Sequence, residues 1–156
     1  MSILPTSMGR VPASTSDVIN QRIRSRTEAM VAYYAEHPDE IDARLAELET
    51  EWDIERVLEA NASALAFTGV VLGMTSSRRY LLLPAAVTAF LFQHALQGWC
   101  PPLPVLRRLG LRTAREIEEE RVALKHLRGD FAEAMGERSS PWETARRMLS
   151  SFRRGA

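Results

Sequence analysis

The sequence predicts an all-α fold, a transmembrane helical hairpin flanked by amphipathic cytoplasmic helices. Three observations predict it. The charges are segregated: residues 1–59 carry 12 acids and 6 bases, residues 60–99 carry only Arg78 and Arg79, and residues 100–156 carry 8 acids and 12 bases. Two uncharged runs result, Ala60–Ser77 of 18 residues and Tyr80–Leu106 of 27, in a chain that is 26% charged. Outside these runs, apolar residues recur every three or four positions with capping signals at the ends of each stretch, the period of amphipathic helices.

Taken in order, residues 1–16 are rich in Ser, Thr, Pro and Gly and read as a disordered tail. They lack the continuous apolar core of a secretion signal. Residues 17–50 read as amphipathic helices. From Asp17 to Glu36 the apolar positions are Ile19, Ile23, Met30 and Tyr34, and His37-Pro38 ends the helix because a residue before proline avoids helical angles. A second helix starting near Pro38 carries Ile41, Leu45, Leu48 and Trp52 on one face and is expected to run with little interruption into the first apolar run.

Residues 51–115 hold the hairpin. Ala60–Met74 alone is about 22 Å as a helix, short of a hydrocarbon core of about 30 Å, and Val57, Leu58 and Ser77 bring it close. Tyr80–Trp99 is a full span, with Pro84 in its first turn, where a missing N–H costs little. Tyr80 and Trp99 bracket it as interfacial aromatics do. Gly69-x-x-x-Gly73 allows close helix approach in lipid. The alternative is a soluble bundle with both apolar helices buried inside it.

Three prolines at 101, 102 and 104 stop the second span. Thr113 and Glu116 form a capping box for a helix in residues 116–156 whose stripe, Ile117, Leu124, Leu127, Phe131 and Met135, is narrow enough to suit a partner helix. Ser140-Pro141-Trp142-Glu143 opens a last short helix. Counting Arg44, Arg56, Arg107, Arg108, Arg112 and Arg115 against Arg78 and Arg79 places both termini in the cytoplasm.

The composition excludes several classes. Zero net charge speaks against a nucleic-acid surface. One cysteine excludes an internal disulfide and an all-cysteine metal site. His37, His94 and His126 are scattered, and no phosphate-binding loop, Gly-x-Ser-x-Gly or zinc-protease motif is present. No metal and no cofactor are expected. Cys100 is the candidate reactive thiol, with Arg107 and Arg108 as thiolate partners, although the dipole of the preceding helix end opposes ionisation. His94, with Gln93 and Gln97 beside it, is the candidate intramembrane polar residue. Asn61 and Ser63 are placed to bond across to Gln93 or His94 as helix glue.

Gly98-Trp99-Cys100-Pro101, continuing to Leu109-Gly110-Leu111-Arg112-Thr113, resembles the closing motif of the YgaP-like inner-membrane domain family, a two-span hairpin. Its opening Asp/Arg stretch is matched by Asp53-Ile54-Glu55-Arg56. The likeness covers residues 51–115. It implies a bacterial inner-membrane hairpin and marks Asp53, Arg56, Gly98, Cys100, Pro101, Gly110 and Thr113 as motif positions. Some members carry a rhodanese domain. None is expected here, and sulfurtransferase activity is not carried over, because the chain's single cysteine lies within the hairpin motif.

The expectation is a small double-spanning membrane protein without catalysis of its own. Its partners would be the lipid bilayer and, through the amphipathic helices, a second copy or another protein. The alternatives are a Cys100 relay for sulfane sulfur or redox handling, and a soluble helical interaction module.

Overall fold

The computed structural model describes Thr6 and residues 8–131, and every regular element among them is helical. In chain order these are α1 (Arg10–Ala13), α2 (Asp17–Glu36), a 3-10 turn at Pro38–Glu40, α3 (Ile41–Thr50), α4 (Ile54–Thr75), a second 3-10 turn at Arg78–Leu81, α5 (Leu82–Gln97), α6 (Leu103–Arg108) and α7 (Ala114–Arg128). The expected Met135 and the helix opened by Ser140, Pro141, Trp142 and Glu143 lie outside the described residues.

Two apolar interiors are built. In the first, Tyr34 of α2, Ile41, Leu45 and Leu48 of α3, and Ile117 and Leu124 of α7 bury one another. Ile117 and Leu124 of the predicted α7 stripe therefore find partners in α2 and α3 of the same chain, while Leu127 stays exposed. In the second, Val11, Ile54, Leu58, Cys100 and Leu103 meet at the foot of the α4–α5 hairpin, with Leu106 and Leu111 against them.

Residues 10–16 are not a disordered tail. Val11 is 2% exposed. Arg10 Nη2 pairs with Glu55 Oε1 at 2.7 Å, Ser14 Oγ donates to the Gln97 carbonyl at 2.9 Å, and Asn20 Nδ2 donates to the Pro12 carbonyl at 2.9 Å. A four-residue helix is too short to stand by itself. These contacts, all to residues farther along the chain, are what order it. Composition does not register such contacts.

α3 and α4 are also separated by a real break, Glu51–Asp53. Asp53 is extended and caps α4, its Oδ1 accepting from Arg56 N at 2.8 Å, and the Ile54 N–H leaves the helix pattern to donate to the Arg112 carbonyl at 2.8 Å.

Above its foot the hairpin has no protein cover among the described residues. α4 is 22 residues, about 33 Å, and Arg78–Gln97 is 20 residues, about 32 Å with its opening 3-10 turn. Both are long and apolar enough to cross a membrane, and only 17% and 6% of their apolar windows are buried. Phe67, Met74, Leu82 and Phe92 are each at least two-thirds exposed. Beyond Leu58, the buried residues of α4 are Gly69 and Gly73. A Cβ at Gly69 would lie 2.5 Å from Pro84 Cδ, and one at Gly73 would lie 2.5 Å from Leu81 Cδ2. The glycine face thus serves the hairpin's own packing, with Pro84 and Leu81 filling the space the missing side chains leave.

Gly69→Leu is expected to splay the hairpin and destabilise the chain in mixed-detergent unfolding by about 1–3 kcal/mol, the usual cost of overpacking. Ala64→Leu, on the exposed face of α4, should leave the midpoint unchanged.

Candidate functional site

Apart from Gly69 and Gly73, most residues singled out by sequence lie at the foot of the hairpin, where the chain enters and leaves the apolar zone. Gly98 ends α5 in the left-handed conformation, φ 72°. A Cβ there would lie 2.4 Å from the carbonyl of Arg10, so glycine is required both by the backbone and by the close passage of α1. Gly110, φ 91°, turns the chain after α6. Thr113 accepts from Glu116 N at 3.2 Å while Glu116 Oε2 accepts from Thr113 N at 2.7 Å, the expected capping box. Asp53 caps α4, and the Arg56 guanidinium lies 4.5 Å over the Trp52 ring. Pro101 begins the turn into α6. Asp53, Gly98, Pro101, Gly110 and Thr113 each turn or cap the chain.

Cys100 is 5% exposed and packed in the apolar foot. Burial pushes its thiol up, with the Leu103 N–H opposing only in part. A thiol in this setting is a poor thiolate at neutral pH. Arg107 is not its partner. That side chain is wholly buried and forks onto Glu116, Nη1 to Oε2 at 2.6 Å and Nη2 to Oε1 at 2.8 Å; Nη1 also donates to the Leu111 carbonyl and Nη2 to Asn20 Oδ1, while Nε has no partner among the described residues. Arg108 is exposed.

His94 is 6% exposed, and neither ring nitrogen has a hydrogen-bond partner among the described residues. Asn61 does not bridge to it: its Nδ2 donates to the Val57 carbonyl of its own helix at 2.7 Å. Gln93 is half-buried and Gln97 exposed, the latter contributing its backbone carbonyl to Ser14. His94, Asn61 and Cys100 nevertheless share one feature. All three line a cleft of about 440 Å³ between α4 and α5 at the hairpin's foot.

Sequence reasoning missed a network of buried arginines. Arg112 forks onto Glu51, Nε to Oε1 at 2.9 Å and Nη2 to Oε2 at 2.6 Å, and its Nη1 also pairs with Glu120. Glu120 has no exposed side-chain surface and accepts from Arg44 Nε at 2.8 Å. Glu51 immediately precedes the hairpin and Arg112 follows it, so this bidentate pair clasps the two ends together. The signal was present as Glu120 at helical spacing with Ile117 and Leu124 on the buried face of α7.

Burial pushes the Glu120 carboxyl up, but Arg44 and Arg112 outweigh it and hold it below the ordinary glutamate range. Glu116 behaves alike, with Arg107 and Thr113 overcoming its burial. Among the described residues no group of His, Cys, Asp or Glu is arranged to hold a metal ion.

No family model, curated protein or solved structure matches the chain.

Arg112→Met should destabilise by about 3 kcal/mol, the low end for breaking a buried pair because Arg44 stays on Glu120. Arg115→Met, which breaks an exposed pair with Glu119, should cost under about 1 kcal/mol in the same unfolding measurement.

Both glutamates titrate lower folded than unfolded. Their stabilisation is therefore complete above the unfolded value of about 4.3 and lost as pH falls through the folded values. The part of the midpoint these carboxylates set should drop steeply below about pH 4, with a shallower drop in Arg107→Met.

Proposed function

We propose that this chain is a small integral membrane protein of the bacterial inner membrane, crossing it twice with both termini in the cytoplasm. In this reading it acts as a non-catalytic anchor, with its charged helical domain held at the cytoplasmic surface for a protein partner or a second copy. One observation carries the reading. The two most apolar helices are the least covered, with 17% and 6% of their windows buried, whereas the core helix of a soluble protein is mostly buried. An exposed apolar face of this extent needs a non-aqueous surrounding.

Other features support it. Both helices satisfy their backbone groups internally, as a bilayer demands. Tyr80 lies at one end of the apolar zone and Trp99 at the other, each partly exposed, in the places interfacial aromatics take. The orientation rests on arginine counting, 6 against 2. Arg44, Arg107, Arg112 and Arg115 are ion-paired in the folded chain. That pairing does not lower the count, since acidic residues contribute little to the rule.

Membership of the YgaP-like hairpin family is part of the proposal. It is supported by the way Asp53, Gly98, Pro101, Gly110 and Thr113 all close the hairpin's foot. The same geometry speaks against a thiol relay, since Cys100 is packed away from solvent and from Arg107.

Carbonate extraction at high pH should leave the protein in the membrane pellet, and liposomes should carry it upward in flotation. Recovery in the supernatant, with a monodisperse species in detergent-free buffer, would overturn the reading.

A further inference from the structure

The cleft at the hairpin's foot has the volume of a small-molecule site. Its walls are apolar, with Leu58, Leu65, Phe90 and Leu106 among them, and no Asp, Glu, Lys or Arg lines it. A charged group entering it would lose its hydration without gaining a counter-ion. A purely aliphatic occupant would leave His94 as it stands, a buried imidazole with two unpartnered nitrogens. An unpaired buried polar group is unfavourable, and a ligand oxygen that pairs with it removes that penalty. His94 lines the cleft with both ring nitrogens buried and unpartnered, so contact with an occupant requires the ring to turn about its Cβ–Cγ bond.

We propose that this cleft binds an uncharged, hydrocarbon-soluble molecule bearing a single hydrogen-bonding oxygen, the chemistry of a long-chain alcohol, with His94 as its polar contact. The assignment rests on the membrane reading, because the cleft opens between two helices whose surroundings are then hydrocarbon. Its ligand arrives from the bilayer rather than from water. The apolar lining sets the preference for a chain. The absence of Asp, Glu, Lys and Arg from its lining sets the preference for an uncharged head.

The full chain in lipid nanodiscs, carrying Trp52→Phe and Trp142→Phe so that Trp99 beside Cys100 is the reporter, is titrated with three brominated C18 probes. They share one dibrominated chain and differ only in the head: an alcohol, a carboxylate, or none. The alcohol should quench Trp99 saturably, and the headless chain should need about five- to tenfold more, the worth of one hydrogen bond. The carboxylate should be weaker than the alcohol. His94→Leu should reduce the alcohol to the level of the headless chain. Ala62→Phe and Val87→Phe, two separate ways of filling the cleft, should each remove the saturable phase.

Quenching that rises linearly for all three probes and ignores both occluding variants would overturn the cleft assignment in a protein that still resists carbonate. Equal saturable binding of the alcohol and the headless chain would overturn the role of His94. A chain extracted by carbonate would overturn the membrane reading and this inference together.

Discussion

The structure depends on one constraint: two long apolar helices leave the folded domain, and no other described element covers them. Their own hydrogen bonds satisfy the backbone, so the requirement falls on the side chains, which present Phe67, Met74, Leu82 and Phe92 outward. What holds the pair together is then limited to the seam between them. The chain meets this by removing side chains from α4 where α5 begins. Gly69 receives Pro84 and Gly73 receives Leu81. Where apolar surroundings give no hydrophobic drive toward helix pairing, close packing of this kind is the main cohesive term left.

At the foot of the hairpin the problem reverses. In the membrane reading the chain passes there from apolar to aqueous surroundings, and the termini of α4 and α5 must be tied to the charged domain. The solution is ionic. Glu51 and Arg112 stand on the two strands of chain that enter and leave the hairpin, and their bidentate pair joins the break between α3 and α4 to the start of α7. Arg107 and Glu116 repeat the arrangement one turn away, the same carboxylate also capping α7. Buried pairs of this kind add little net stability over apolar packing, yet losing one partner is costly. Their effect is to fix the geometry of the foot, because a guanidinium with its donors engaged admits few alternative positions.

This division explains what was legible in the sequence. The all-α class, α2 over Asp17–Glu36, the early position of Pro84 and the Thr113–Glu116 box are local features, set by period, proline geometry and capping, and the structure has them. Long-range contacts were not legible. α1 is four residues ordered by Glu55, Gln97 and the space above Gly98, none of which lies near it in the chain. The break at Glu51–Asp53 holds one end of an ion pair spanning 61 positions. The arginines counted only as charges near a membrane include two that are buried, and an arginine is read as solvated unless its carboxylate partner is known.

The candidate motif residues also take on a different meaning once placed. Asp53, Gly98, Pro101, Gly110 and Thr113 look like a signature that should carry chemistry, with Cys100 at its centre. Instead, four of them cap or turn helices, and Pro101 starts the turn that carries the chain from α5 into α6. Cys100 fits the apolar foot because it is small and weakly polar, and the same burial keeps its thiol protonated. Among the described residues, the buried side chain there with no polar atom hydrogen-bonded is His94, both of whose ring nitrogens lack partners. An imidazole needs a hydrogen-bond partner far more than a buried thiol does. If the foot of the hairpin does more than close the fold, that unsatisfied ring beside an apolar cleft is where the additional interaction is physically demanded.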